Sequence, residues 1–465
     1  MKQKKFEQYK RIFRFFEILI SVAVQAGLFA FAWYTRINPL APKPFTGKGN
    51  YLEIAVYIVV MFIFFRNFDG FEIGFFTPLN VALSQILALL CGNMLMWIII
   101  VLTIGSIYPV FKILLIMLIL TVIQTILAII VVNLLDKMHI AIFPAWDMLL
   151  IYENDSVRLF TDKVESRKDK YIIGEKIHVS EGFEVIKKKI SEHDSVIIYD
   201  VSSNMRNDIV KYCYGEDKRI YQTPKISDIL IRGAGENHLF DTPLLSSGNI
   251  GLTFEQKLVK RLCDIVLALL MIIITSPVML ITAIAIKLED HGPVMFIQER
   301  VTYKEKVFKI YKFRSMIVDA EKDGKPRPAI ANDDRITKVG KFIRKTRIDE
   351  LPQLFNILLG DMSIVGPRPE RCEHVEKYTK EIPEFKYRTK VKGGLTGYAQ
   401  VYGKYNTSAY DKLKLDLMYI ENYSFALDLR IIILTIKVIF MKSSTEGFEE
   451  AKSKAMTQAN REEEK

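Results

Sequence analysis

The stretch KLVKRLCDIVLALLMIIITSPVMLITAIAIKLED, Lys257 to Asp290, decides how the chain is organised. From Ile265 to Ile286 it carries no charge, which is enough length to span a hydrocarbon core about 30 Å thick. Lys257, Lys260 and Arg261 flank it on one side and Lys287 on the other. Ser276 and Pro277 sit at its middle. Proline has no N–H and clashes with the preceding turn, so the pair predicts a kink or break in the helix. If the segment crossed a membrane, everything after it would lie on the far side. No later run could bring it back, because RIIILTIKVIFM (Arg430–Met441) is short and interrupted by Lys437. A helix over 258–288 that enters, breaks at Ser276-Pro277 and leaves by the same face removes the conflict. Such re-entrant backbone is tolerated where protein or hydroxyl groups satisfy the freed backbone. A kinked spanning helix is the alternative that the residues leave open.

Toward the N-terminus, four more apolar runs could cross: about Phe15–Trp33, Tyr51–Phe65, Val81–Leu102 and Val110–Leu135. The second is the shortest. Lysines and arginines crowd the segment before Phe15 and place that end in the cytosol, although Arg36, Lys43 and Lys48 in the first outer loop vote the other way. No small-residue cleavage site follows, so the first run reads as a retained helix and not a signal peptide. Four spans return the chain to the cytosol, giving a transmembrane bundle over 1–145.

Between 146 and 250 the pattern changes. MLLIYEN, YIIGEKIHV, SVIIYDV and RIYQT read as short strands, with the amphipathic helices FEVIKKKISEH and SNMRNDIVKYCYG between them. Strands alternating with helices imply a small parallel α/β unit. No Gly-rich strand-to-helix turn opens it, so a scaffold or regulatory domain without a cofactor is expected. DTPLLSSGNIG (Asp241–Gly251) then reads as a linker.

The composition fits this partition. The 465 residues are 50% hydrophobic and 25% charged, with a net charge of +11. A basic excess beside apolar spans calls for an anionic partner such as lipid headgroups or phosphorylated substrates. No zinc-finger spacing or RNA-binding signature supports nucleic acid. Cys91, Cys213, Cys263 and Cys372 form no CxxC pair, which argues against a disulfide framework and for a reducing setting.

Past Glu289 a basic α/β-like region runs to about Ser424. KLKLDLMYIENYSFALDLRIIILTIKVIF then alternates at helical spacing, as interfacial amphipathic helices do, and 442–465 reads as a charged, disordered tail. Within the soluble region lies TRIDELPQLFNILLGDMSIVGPRPE, Thr346 to Glu370. An Asp349-Glu350 pair ahead of Leu351-Pro352 is a sound helix start. Its neighbours argue for more: Arg344, Lys345 and Arg347 precede it, Lys312 and Arg314 lie in YKFRSM, and Arg368 is clamped between Pro367 and Pro369. Cations in surplus suit phosphate. Two carboxylates suit Mg²⁺, which takes one or two of them plus substrate phosphate oxygens. An aspartate can also act as nucleophile in phosphoryl transfer.

SPVMLITAIAIKLEDHGPVMFIQERV, FKIYKFRSM, TRIDELPQLFNILLGDMSIVGPRP and GLTGYAQV together resemble the bacterial sugar transferases, the polyprenyl-phosphate sugar-1-phosphate transferases. Those enzymes start exopolysaccharide, capsule and O-antigen assembly. The resemblance covers roughly 255–441, and the preceding regions look like the family's long form, of the undecaprenyl-phosphate galactose or glucose phosphotransferase type. It implies a multi-domain protein of the bacterial inner membrane. The parts would be a four-helix transmembrane bundle, a degenerate Rossmann-like domain and a cytosolic catalytic domain with a re-entrant helix. Asp349 would attack a UDP-sugar and release UMP, Glu350 would assist, and both would hold Mg²⁺. Undecaprenyl phosphate would be the acceptor. Lys312, Arg314 and the Pro367-Arg368-Pro369 anchor would hold phosphate, and Arg344 would tie the site to the membrane helix. Thr396, Gly397 and Gln400 would lie on the nucleotide side, and a homodimer is plausible on the apolar N-terminal helices. Two positions depart from the family pattern: Gly393-Gly394 stands where proline-glycine is usual, and Thr302 where glycine is. The rival readings are a catalytically silent scaffold of polysaccharide assembly and a membrane phosphohydrolase.

Overall fold

A computed structural model describes residues 4–439 apart from 107, 155, 249–250, 319, 321–332, 334 and 404–406. The expected disordered tail, 442–465, lies outside the described residues. The chain divides into two units, Met1–Pro224 and Lys225–Lys465.

The first unit opens with a short α1 (Lys4–Glu7) and four long apolar helices, α2 (Lys10–Ala32), α3 (Lys48–Asn67), α4 (Pro78–Ile104) and α5 (Val110–Ile142). Local chemistry sets their ends. Pro78 starts α4 where its missing N–H costs nothing, and Gly105, at φ 64°, closes it in the left-handed conformation with its N–H on Val101 O. Helix α2 packs on α3, α3 on α4, α4 on α5 and α5 on α2. The rings of Phe29 and Tyr57 stack 4.0 Å apart inside. A polar knot joins all four helices: Asn93 Nδ2 donates to Thr121 Oγ1 (2.8 Å) and Gln124 Oε1 (2.7 Å). Gln124 Nε2 donates to the Tyr57 hydroxyl (2.7 Å) and Gln25 O (3.1 Å). Phe31, Leu102, Phe111 and Val122 face outward. Five helices in the whole chain are long and apolar enough to cross a membrane, α3 at 20 residues among them, and the chain is membrane-associated.

The same unit continues into α/β structure: β1 (Trp146–Tyr152), α6 (Val157–Glu165), β2 (Tyr171–His178), α7 (Phe183–Glu192), β3 (Ser195–Tyr199), α8 (Ser203–Gly215) and β4 (Arg219–Gln222). The strands form a parallel sheet in the order β2-β1-β3-β4. Central β1 is an unbroken apolar run because a parallel sheet is covered on both faces: Met148, Leu149, Leu150 and Ile151 are all fully buried. Glu7 pairs with Arg219 at 2.7 Å, and Arg167 Nη1 donates to Phe75 O at 2.9 Å. The N-terminus and the α3–α4 loop thus meet the sheet at one end of the helices.

The second unit contains α9 (Ile226–Arg232), β5 (Gly235–Leu239), β6 (Thr242–Ser246), α10 (Phe254–Asp290), β7 (Met295–Val301), β8 (Val307–Phe313), α11 (Lys338–Lys345), α12 (Gln353–Leu359), β9 (Met362–Val365), α13 (Cys372–Glu381), β10 (Gly393–Thr396), α14 (Tyr398–Tyr402), α15 (Ala409–Glu421) and α16 (Phe425–Ile439). Residues 226–246 therefore fold with this unit, and part of the expected linker is strand β6. Strands β7 and β8 pair antiparallel, β9 and β10 parallel. Helix α15 turns Leu413, Leu417 and Tyr419 into the core, while α16 keeps Phe425, Leu429 and Ile436 exposed.

Helix α10 runs unbroken through Pro277, so the break expected at Ser276-Pro277 does not interrupt the helix. Pro277 cannot donate to Ile273 O, and the Ser276 hydroxyl does so instead at 2.9 Å. Both ends of α10 dock on the same unit. Near its start Arg261 donates to Ile357 O (2.5 Å) and Leu358 O (2.7 Å) at the end of α12. Asp264 Oδ1 accepts from Ser363 Oγ (3.0 Å) and Ile364 N (2.9 Å) of β9. Near its end Ile286 packs with Phe313 and Ile343, and Asp290 pairs with Arg314. Asp264→Ala is expected to leave the buried Ile364 N–H unpaired and cost about 1–3 kcal/mol. The check is the thermal midpoint of the purified chain in detergent, which should fall.

Candidate active site

The acidic pair lies in a single three-residue turn, Ile348–Glu350, between α11 and α12. Arg347 enters it in the left-handed conformation at φ 56°. At three residues per turn, neighbouring side chains point well apart, and the two carboxylates meet different fates. Glu350 is buried. Its Oε1 accepts from Arg368 Nη2 at 2.6 Å and lies 3.4 Å from Lys312 Nζ. Asp349 is half-buried, and no described residue hydrogen-bonds or ion-pairs with its carboxylate.

Three elements bring these groups together. Lys312 projects from β8, and Arg368 follows β9. Buried Asn356 fixes α12 against β8: its Nδ2 donates to Lys309 O (2.8 Å) and its Oδ1 accepts from Tyr311 N (3.0 Å). Arg300 on β7 donates through Nη1 to Pro369 O (3.2 Å) and through Nη2 to Gln298 Oε1 (2.7 Å).

The electrostatics separate the pair further. Burial and the Glu350 charge push the Asp349 carboxyl up to about 6, against the pull of Lys312, Arg344 and Arg368. Burial also acts to raise Glu350, but Arg368 and Lys312 outweigh it and hold that carboxyl below the usual range. Burial pushes the Lys312 ammonium down, and burial lowers Arg300 to about 10. Glu350 holds the Arg368 guanidinium above its ordinary value.

Of the residues singled out from sequence, Asp349, Glu350, Lys312, Arg344 and Pro367-Arg368-Pro369 gather here, with Arg344 on α11 packed against α10. Thr396 and Gly397 adjoin them, since Gly366 N donates to Thr396 O at 2.9 Å. Gln400 donates to Leu395 O at 3.0 Å, and its Oε1 is buried without a partner. Arg314 goes elsewhere: it pairs with Asp290, and its N–H donates to Val294 O at 2.9 Å. These contacts close the turn after α10, while Arg314 Nη1 is buried without a hydrogen-bond partner. Ser276 and Pro277 lie mid-α10, away from the turn. Arg300, Asn356, Arg388 and Asp416 were not legible as site residues.

The two departures from the family pattern meet each other. Gly393 N donates to Thr302 Oγ1 at 3.0 Å, and Thr302 donates to Asp361 O at 2.9 Å. A proline at 393 would have no N–H to give, so the hydroxyl and the glycine suit one another. For Mg²⁺, no group of three or more His, Cys, Asp or Glu is poised to bind a metal among the described residues. The unengaged Asp349 carboxylate beside Glu350 nevertheless fits a hard ion that draws its remaining ligands from substrate phosphates.

Residues 255–442 match the bacterial sugar transferase family. The chain is 44% identical over 223 residues to a UDP-N-acetylgalactosamine-undecaprenyl-phosphate N-acetylgalactosaminephosphotransferase of Aeromonas hydrophila, covering 47% of this chain and 52% of that one. It is 45% identical over 203 residues to UDP-glucose:undecaprenyl-phosphate glucose-1-phosphate transferase of Escherichia coli (strain K12), covering 43% and 42%. It is 40% identical over 184 residues to an uncharacterized sugar transferase, EpsL, of Bacillus subtilis (strain 168), covering 40% of this chain and 88% of that one. The chain spans about half the length of the first two relatives.

Without divalent cation, labelling of Asp349 by a carbodiimide, which attacks the protonated acid, should rise as pH falls through about 6. Glu350→Gln removes a like charge and frees Arg368 and Lys312, so the midpoint should move down. Mapping the labelled peptide by mass spectrometry across pH checks both position and direction.

Proposed function

The chain belongs to the bacterial sugar transferase family, and from that premise we propose that it transfers a sugar 1-phosphate from a UDP-sugar to undecaprenyl phosphate. The observation that carries this reading is the division within the acidic pair: Glu350 is locked by Arg368 and Lys312, while Asp349 beside it is left unengaged. A structural helix-start pair would need no such cage.

In the first step an Asp349 carboxylate oxygen attacks the sugar-bearing phosphorus of the donor. The bond from that phosphorus to the bridging oxygen breaks, and UMP leaves with the oxygen and its electron pair. An acyl-linked phosphosugar stays on Asp349. In the second step a phosphate oxygen of the lipid attacks the same phosphorus, which frees the carboxylate and yields a lipid diphosphate sugar. The raised Asp349 carboxyl is a more basic nucleophile than an ordinary aspartate yet is largely ionised at neutral pH. Arg368, Lys312 and Arg300 neutralise the donor phosphates, the main contribution a protein makes to phosphoryl transfer. Mg²⁺ held by Asp349 and Glu350 would supply further neutralisation of charge at the phosphates. The relatives carry N-acetylgalactosamine and glucose in their names, so UDP-glucose, UDP-galactose and UDP-N-acetylgalactosamine are the donors to test.

The membrane arrangement follows the same logic. Helices α2 to α5 form a transmembrane bundle with both chain ends in the cytosol, and α10, helical throughout, enters the inner leaflet and returns by bending at Pro277. Both ends of α10 dock on the second unit, through Arg261 and Asp264 at one end and Asp290 at the other, which a bend at Pro277 would allow. The exposed apolar residues of α16 suit an interfacial position on that leaflet.

Asp349→Asn should lower UMP release by roughly 10³-fold or more. It should also abolish a phosphosugar adduct that is trapped on the wild-type peptide when the lipid is omitted. Turnover near wild type would sink the covalent role. For topology, Glu305→Cys in a chain lacking its native cysteines should resist a membrane-impermeant maleimide in intact cells and react after lysis. Labelling in intact cells would overturn the re-entrant arrangement.

A further inference from the structure

Four consecutive carbonyls, from Pro367 to Glu370, are held by three parts of the second unit: β7, β10 and Arg388. Pro367 O accepts from Gly394 N at 2.9 Å, and Glu370 O from Val301 N at 3.0 Å. Pro369 O accepts from Arg300 Nη1 at 3.2 Å. Arg368 O accepts from Arg388 Nη2 at 3.0 Å. Two of the residues in this segment are prolines, so the chain has few N–H groups of its own with which to fix itself, and the carbonyls are its only regular handles. Arg388 is in turn held by Asp416 of α15, with Nε at 3.1 Å and Nη2 at 2.7 Å from Oδ2. Arg388 is 6% exposed and Asp416 1%, so both lie beneath the Arg368 backbone. Glu370 Oε1 lies 3.7 Å from Arg388 Nη1.

We propose that Arg388 and Asp416 are positioning residues, a buried clamp that acts on the backbone of Arg368 so that its guanidinium stays on Glu350. This rests on the transfer reading above. A buried ion pair is a weak source of stability: replacing both partners by apolar residues of similar volume is often neutral or better. Its value here is geometric. Arg388 presents one fork to Asp416 and to the Arg368 carbonyl at once, which a lysine could not do. An arginine that must neutralise charge as it develops loses most of its effect when displaced by about 1 Å.

The test separates position from stability. Asp416→Asn alone should weaken the clamp and cost stability with it, so the deciding variant is the pair Arg388→Met and Asp416→Leu, which refills the space with apolar atoms. Two readouts are taken on folded protein, matched by thermal midpoint. One is UMP release from a UDP-sugar. The other is the rate at which phenylglyoxal modifies Arg368, mapped by mass spectrometry. The double variant should keep a thermal midpoint close to wild type, release UMP about tenfold or more slowly, and expose Arg368 to modification at least about threefold faster. A double variant of wild-type stability in which Arg368 reactivity is unchanged overturns the clamp, whatever its turnover. If the wild-type chain itself releases no UMP, the transfer reading fails, and the arginine reactivity still decides whether the clamp exists.

Discussion

A buried carboxylate must be compensated, and Glu350 is the place where this chain accepts that demand. Leaving such a charge unpaired in low dielectric costs several kcal/mol even after relaxation. Arg368 at 2.6 Å and Lys312 at 3.4 Å meet it, but they come from separate elements, the segment after β9 and strand β8. The surrounding structure therefore has to hold three pieces in register. Asn356 pins α12 to β8, Asp264 pins α10 to β9, and four carbonyl contacts immobilise the Pro-Arg-Pro segment.

Once Glu350 is fixed, Asp349 is largely determined. It sits one residue earlier in a tight turn, so its side chain leaves the cage that holds its neighbour. It keeps the fixed negative charge of Glu350 beside it without a hydrogen bond of its own. Burial and that like charge raise its carboxyl to about 6. Two adjacent acids thereby acquire different properties, one a caged anion and the other an unpaired carboxyl that holds its proton to higher pH, from environment alone.

The strands of the first unit, the four long N-terminal helices and the acidic pair were legible because each leaves a local pattern: a buried parallel strand, an uncharged run, an acidic turn before Pro352. Period-two alternation would put Arg314 on the same face as Lys312, and that holds only while the strand continues. Strand β8 ends at Phe313, so Arg314 turns away to Asp290. Ser276-Pro277 misled: the proline does remove a hydrogen bond, but the serine hydroxyl restores one to Ile273 O, and the helix goes on. Arg388 and Asp416 were illegible for a different reason. Each looks like an ordinary surface charge in a mixed helical pattern, and only the fold brings residues 28 positions apart onto the Arg368 carbonyl.

The balance of charge at the turn bears on what kind of reaction suits it. Asp349, Glu350 and Glu370 are set against Lys312, Arg368, Arg344, Arg300 and Arg371, so the cations are in excess before any ligand arrives. In folded proteins such an excess in a half-buried place is unfavourable unless an anion completes it. Arg300 makes the point: among the described residues its guanidinium hydrogen-bonds only to a carbonyl and an amide oxygen, with its Nε buried without a partner, and Glu370 acts on it through charge alone. A donor diphosphate would meet that excess, and the lipid phosphate would meet it again after UMP departs. The site would then stay near neutrality through both halves of a two-step exchange.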